Sequence, residues 1–159
     1  MSKAEVEDAF LLGWLADQNR TLYIERAERS GAHGQVRRIA DALDHPQPLT
    51  IFPEGTTGDG RTLLPFRSTL LDAVAPPPPN AQVRPVAIDF GETVDSISWH
   101  SGETGIENVR RVLGRRGRIE VVVRLLEPLQ PHVDRKALTR EARQALGAAL
   151  SSLKGETGL

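Results

Sequence analysis

Short apolar runs of strand type alternate with helical stripes along this chain, which predicts an α/β domain. Val6, Phe10, Leu11, Trp14 and Leu15 recur at helical spacing and predict a first helix that ends near Asp17-Gln18-Asn19-Arg20. Thr21-Leu22-Tyr23-Ile24 reads as a short strand. Val36, Ile39, Ala40 and Leu43 then fall at i, i+3, i+4 and i+7, so a second helix turns one apolar face inward while Arg37, Arg38 and Asp41 point away. His45-Pro46-Gln47-Pro48 stops it, because the residue before a proline is pushed out of the helical region.

Leu49-Thr50-Ile51-Phe52 reads as a buried strand that runs into a loop from Pro53 to Arg61, followed by a short helix through Leu70, Leu71 and Val74. Four prolines, Pro76 to Pro79, predict a stiff extended connector. Val86, Ala87, Ile88 and Phe90 form the next strand, with Pro85 at its entry where a missing N–H is tolerated. A basic helix is expected from Ile106 to about Leu113. Ile119, Val121, Val123 and Leu125 alternate with Glu120 and Arg124, the pattern of a strand with one buried face. The last helix opens at Asp134 as N-cap, with Val133 and Leu138 at the spacing of a hydrophobic staple. Its stripe is Leu138, Ala142, Ala145, Leu146, Ala149, Leu150 and Leu153.

The 159 residues, 39% hydrophobic and 26% charged, fit a single domain able to bury a core without staples. With no cysteine, disulfides, thiolate metal sites and acyl-cysteine intermediates are excluded. No uncharged apolar run approaches the ~18 residues of a spanning helix, so the expectation is a soluble or peripheral chain. A net charge of −1 and 4% aromatic residues argue against nucleic-acid binding. Lys3, Lys136 and Lys154 are the only lysines among 20 basic residues. Arginine's planar fork suits phosphate and carboxylate, which keeps anionic ligands in view.

Phe52-Pro53-Glu54-Gly55-Thr56-Thr57-Gly58-Asp59-Gly60-Arg61 carries the most chemical information. At the carboxyl end of a strand in an α/β sheet, such a loop faces the crevice where ligands bind. Gly55 and Gly58 allow close backbone approach, Thr56 and Thr57 donate to oxygen anions, and Glu54 accepts from a hydroxyl. Composition supports equally a plain turn in which Asp59-Gly60 reverses the chain and the hydroxyls bond locally.

Phe52-Pro53-Glu54-Gly55-Thr56 resembles the third sequence block of the lysophospholipid acyltransferase superfamily, typified by 1-acylglycerol-3-phosphate acyltransferases. Three more segments agree in order. Gly13-Trp14-Leu15 with Leu22-Tyr23-Ile24-Glu25-Arg26 resembles the second block, Leu64-Pro65-Phe66-Arg67-Ser68 the segment after the third, and Val83-Arg84-Pro85-Val86-Ala87-Ile88 the fourth. The resemblance implies one partial phospholipid/glycerol acyltransferase domain over residues 1–159, with a mixed sheet flanked by helices and a truncated amino end. It implies acyl transfer from acyl-CoA or acyl carrier protein, as co-substrate, to a lysolipid hydroxyl. No resident cofactor or metal is expected, and the location implied is cytoplasmic, peripheral on the inner membrane face. By the same resemblance Arg26, Glu54 and Gly55, with Thr56 and Thr57, bind the acceptor. Arg29 and Arg67 are auxiliary phosphate contacts or plain surface ion-pair residues. Phosphatidic-acid-forming members commonly place Arg after Phe-Pro-Glu-Gly-Thr; Thr57 stands there, which leaves lysolipids other than lysophosphatidic acid open.

The family's first block, His-x-x-x-x-Asp, supplies the general base and its orienting acid. Five residues beyond His33, His45, His100 and His132 stand Arg38, Thr50, Gly105 and Ala137, so no catalytic residue is assigned within this chain. His100, beside Trp99, is the least implausible substitute. The expectation is a chain that starts after the catalytic block, or a remnant that binds lipid or acyl carrier without turnover. Arg110, Arg111, Arg115, Arg116 and Arg118 read either as a patch for an anionic membrane surface or as a solvated helix end.

Overall fold

The structure, a computed structural model, describes residues 31–45, 47–79 and 81–157. The first helix and strand expected from the sequence, with Arg26 and Arg29, lie outside the described residues. Helix α1 spans Gly31–Leu43, as the spacing of Val36, Ile39, Ala40 and Leu43 predicts, and Ile39 is buried. The short helix through Leu70, Leu71 and Val74 is a 3₁₀ helix, Ser68–Val74, and those three residues are the ones it buries.

Strand β1 (Val86–Asp89) pairs antiparallel with β2 (Val122–Leu125), setting Val86 opposite Leu125 and Ile88 opposite Val123. Between them come a 3₁₀ turn (Gly91–Thr93), the four-residue helix α2 (Val94–Ile97) and the basic helix α3 (Gly105–Gly114). Thr104 and Glu107 close a reciprocal capping box on α3, a signal the sequence carries as Thr-x-x-Glu. Helix α4 (Arg135–Thr157) is the last described element. Asp134 caps it by accepting the Lys136 N–H at 2.8 Å.

Helix α4 organises the core. Its first turns bring Leu138, 1% exposed, against Leu71 and Val74 of the 3₁₀ helix, with Leu43, Ile51, Val83 and Leu129 packed around them. Three turns on, Ala149 and Leu153 cover Ala87 of β1. One apolar stripe therefore fastens the segment after the glycine loop and the sheet to the same rod. Full burial of a leucine contributes about 1.5–3 kcal/mol.

Several expectations are corrected. Leu49–Phe52 is not a strand: none of its residues joins the ladder, and β1 and β2 pair with each other. Pro48 has no N–H to donate, the Phe52 carbonyl is taken by Gly55 N–H and the Pro53 carbonyl by Arg67 N–H. Ile51 packs on the core, but Phe52 is 71% exposed. Among the described residues the sheet is an antiparallel pair, compatible with the expected α/β class, and the expected strand at 21–24 lies outside those residues. Its face carrying Val86, Ile88, Val123 and Leu125 is exposed, so the expected buried face of the 119–125 strand is the outer one, and the strand is shorter than the alternation suggests. The staple at α4 does not form, because Val133 is exposed while Leu138 is buried. The proline run turns instead of extending throughout: Ala81 N–H donates to the Pro78 carbonyl.

Arg111 leaves the expected surface patch for the interior of the 96–111 region. It donates to both Glu103 oxygens and to the Ser96 and Ser98 carbonyls, while Trp99 Nε1 donates to the Glu103 carbonyl. The Arg111 hydrogen bonds, helped by Asn108 and the His100 N–H, hold the Glu103 carboxyl down at about 2. A carboxyl with a depressed folded-state pKa stabilises fully above its usual 4.5 and loses that contribution as the pH falls toward 2. Amide exchange of residues 98–104, taken relative to its intrinsic rate at each pH, is therefore expected to speed up across that window. In Glu103→Gln it should be faster at neutral pH and lack this step; an unchanged step in that variant would rule out Glu103 as its source.

Candidate functional site

The loop after Phe52 is built by three tight local features. Gly55 N–H returns to the Phe52 carbonyl at 3.0 Å with Gly55 at φ +65°, a left-handed conformation that favours glycine. Asp59 Oδ1 accepts the N–H groups of Arg61 and Thr62, which lowers the Asp59 pKa and makes the Asp59-Gly60 reversal anticipated from composition. Gly60, at φ +71°, packs so closely on Val94 that an added Cβ would stand 2.6 Å from Val94 Cγ2.

The chain then doubles back, and Arg67 N–H donates to the Pro53 carbonyl at 2.8 Å. This lays the Arg67 side chain across Gly55: a Cβ on Gly55 would meet Arg67 Cδ at 3.0 Å and Nε at 3.2 Å. Gly55 and Arg67, two of the residues singled out from the sequence, are thus brought into contact, and Glu54 precedes Gly55 in the same turn. Glu54 is half-buried, and that burial raises its carboxyl pKa; the Leu64 N–H and the Arg143 guanidinium oppose the rise, while the Asp59 carboxylate adds to it. Thr56 and Thr57 are exposed, with the Thr56 hydroxyl 3.5 Å from the Thr57 carbonyl.

The loop is fastened from two sides by residues the motif reading did not contain. Arg61 pairs with Asp95 of α2, Nε to Oδ1 at 2.8 Å. From α4, Lys154 Nζ donates to the Arg61 carbonyl at 2.9 Å and Arg143 Nη2 to the Leu63 carbonyl at 3.2 Å. No short-range spacing marks these pairs, since each joins segments far apart in the chain.

The arrangement offers a carboxylate, a guanidinium and a left-handed glycine turn on one loop. It can accept from a hydroxyl or ammonium through Glu54 and hold an anionic oxygen through Arg67. His100 Nε2 lies 2.9 Å from the carbonyl of Asp95, whose carboxylate pairs with Arg61 of the loop. A groove of about 490 Å³, lined by Asp89, Glu92, Arg118 and Glu120 among others, contains no residue of the loop. Among the described residues no cluster of His, Cys, Asp and Glu is arranged to hold a metal ion, and no helix is long and apolar enough to cross a membrane.

The family model described as acyltransferase matches residues 1–89, the part of the chain that holds this loop and β1. A lyso-ornithine lipid O-acyltransferase of Brucella abortus is 32% identical over 96% of this chain and 62% of its own length. One of Pseudomonas aeruginosa is 35% identical over 94% of the chain and 58% of its own length. A 1-acyl-sn-glycerol-3-phosphate acyltransferase of Neisseria gonorrhoeae is 27% identical over 69% of the chain and 38% of its own length. The chain thus spans about 60% of the length of the first two relatives. No solved structure matches it. The family match over more than half of the chain, on the same segment that carries the Phe-Pro-Glu-Gly-Thr loop, places this chain in the acyltransferase family, within the lysophospholipid acyltransferase superfamily.

Proposed function

We propose that this chain is the acceptor-holding part of an acyltransferase that moves a fatty acyl group from a thioester, acyl-CoA or acyl carrier protein, to the hydroxyl of a lysolipid. The observation that carries the reading is the seating of Arg67 on the Glu54-Gly55 turn within the matched segment. In the transfer a new ester C–O bond forms, the thioester C–S bond breaks, and the acceptor hydroxyl's proton ends on the released thiol of CoA or carrier protein. Glu54 accepts that hydroxyl or an adjacent polar group of the acceptor, Arg67 holds its anionic group, and Arg26, Thr56 and Thr57 complete the set.

Two facts support a lyso-ornithine lipid as acceptor over lysophosphatidic acid. The first two relatives named above are lyso-ornithine lipid O-acyltransferases, and Thr57 stands where phosphatidic-acid-forming enzymes commonly carry a further Arg. Ornithine offers a carboxylate for Arg67 and an ammonium for Glu54. A phosphate monoester, with up to about two negative charges, would lack the further guanidinium that Thr57 replaces. Titration of the protein with short-chain lysolipids tests this: lyso-ornithine lipid should bind at least about ten-fold tighter than lysophosphatidic acid, one pairing's worth of charged hydrogen bonding. A preference for the phosphate would contradict the ornithine assignment.

The second reading is a module that binds without turnover, favoured by the lack of His-x-x-x-x-Asp among the 159 residues. On that reading the chain binds lysolipid yet transfers no label from acyl-CoA or acyl carrier protein, and transfer by the chain alone would rule it out. Peripheral attachment to an anionic membrane, on the cytoplasmic side, belongs to the same proposal; Arg110, Arg116 and Arg118 are exposed, and Arg111 is withdrawn from that role by its bonds to Glu103.

A further inference from the structure

The outer face of the β1–β2 pair matches itself in both shape of pattern and charge. Along residues 84–88 exposure alternates, with Arg84, Val86 and Ile88 outward and Pro85 and Ala87 buried. Along 123–127 it alternates likewise: Val123, Leu125 and Glu127 are exposed, while Leu126 packs on the Ala87 cluster. The ladder sets Val86 opposite Leu125 and Ile88 opposite Val123, and the Leu126 N–H, donating to the Pro85 carbonyl, carries the same register one pair further. Arg84 therefore stands opposite Glu127, at the end of an apolar square whose four side chains are 41% to 62% exposed. Neither Arg84 nor Glu127 makes a hydrogen bond or ion pair among the described residues.

That pattern selects among the surfaces able to cover the face. Four aliphatic side chains side by side form a contiguous apolar patch of the kind that marks an interface. One cation and one anion at its end cancel, so the face has no net charge with which to attract anionic lipid. The same two charges suit a copy of the face itself. A two-fold axis between the copies and parallel to the strands lays β1 of one chain over β2 of the other, in the aligned manner of stacked sheets. It brings Val86 onto Leu125, Ile88 onto Val123 and Arg84 onto Glu127, each contact occurring twice. With the axis across the strands, β1 lies on β1 and both Arg84–Glu127 matches are lost.

We propose that this face joins two copies of the chain in a symmetric dimer, with Val86, Ile88, Val123 and Leu125 at its apolar centre and the Arg84–Glu127 pairs fixing its register. The inference is independent of the acceptor reading, since no residue of the Pro53–Arg67 loop belongs to the face. Two four-residue strands cover about 13 Å by 10 Å, well under the roughly 800 Å² per partner of a standard interface. The dimer is therefore weak and forms with rising concentration.

Sedimentation equilibrium of the full chain, from micromolar to millimolar concentration, is the test. The mass should rise from one chain to two and stop there, because an isologous interface closes on itself. Val123→Glu, at an exposed position, should keep a folded amide spectrum and abolish the dimer. Arg84→Glu alone and Glu127→Arg alone should each weaken it by about ten-fold, since symmetry makes both cross-copy pairs repulsive. Mixed one to one, these two variants should pair about as tightly as the unchanged chain, because each new charge then faces its opposite across the interface. Within either variant the two charges stay alike, so the rescue has no intramolecular source. Arg140→Glu, the same charge change on an exposed position of α4, should leave the dimer as it is. A chain monomeric throughout the range would overturn the inference, as it would be if another segment of the same chain covered the face. Mass growing past two, a dimer indifferent to Val123→Glu, or no rescue on mixing would overturn it as well. If Val123→Glu does not fold, the mixing experiment decides alone.

Discussion

Glu54→Ala is expected to weaken lysolipid binding by about ten- to a hundred-fold while leaving the melting temperature close to that of the unchanged chain. The size follows from losing a hydrogen bond to an ionised group, roughly 1.5–3 kcal/mol. Stability should not fall, because Glu54 is half-buried and burial already disfavours its charged form, raising its pKa. Removing a group that folding disfavours costs the fold little. Glu54→Gln separates charge from shape: it keeps an acceptor oxygen for a hydroxyl but loses the pairing with an ammonium. A lyso-ornithine acceptor that uses Glu54 through its ammonium should lose most of its affinity in Glu54→Gln, whereas an acceptor held only through its hydroxyl should lose little. Affinity unchanged in Glu54→Ala would remove this residue from the site.

Gly60→Ala is expected to be the most damaging single methyl in the loop. At φ +71° an L residue carries left-handed strain of about 1 kcal/mol or more, and the new Cβ would stand 2.6 Å from Val94 Cγ2. Val94 is buried, and the residue after it, Asp95, is bonded to Arg61, so neither side yields without breaking that pair. Adding overpacking of about 1–3 kcal/mol gives a total of about 2–4 kcal/mol. For a chain of this size that is a fall in melting temperature of about 5–15 °C. Val94→Ala removes the clashing methyl, so the double variant Gly60→Ala/Val94→Ala should be less destabilised than the two single losses added together. Strict additivity would show that the contact does not set the cost. Gly55→Ala offers the contrast: its neighbour is the flexible arm of Arg67, and the damage should fall on ligand binding more than on stability.

The helical part of this fold was legible because helices are specified locally. The stripe at Val36, Ile39, Ala40 and Leu43, the run from Leu138 to Leu153 and the Asp134 cap all lie within a few residues of what they act on. Strands were legible only where a partner stands beside them. Val86–Asp89 and Val122–Leu125 find each other, while Leu49–Phe52, equally apolar, leads into a loop turn that takes the Phe52 carbonyl and the Pro53 carbonyl after it. Periodicity shows that one face of residues 119–125 is apolar but says nothing of what covers it, and in this structure Val123 and Leu125 are exposed.

The site divides in the same way. Glu54, Gly55 and Arg67 could be named because a family block marks them, and Asp59-Gly60 because turn chemistry does. Arg111 was misread, since an arginine on a basic helix gives no local sign that it will turn toward Glu103 and two carbonyls. Arg143 and Lys154 carry no motif; they matter only because packing lays α4 beside the loop.

The account rests on the loop from Pro53 to Arg67 being where a lysolipid is held. Amide and carboxyl resonances of the whole chain, followed during titration with short-chain lyso-ornithine lipid, test that directly. Shifts that saturate and centre on Glu54, Gly55, Leu64 and Arg67 are the result expected. Shifts centred on the groove of Asp89, Glu92, Arg118 and Glu120, or no saturable shift at the loop, would contradict it.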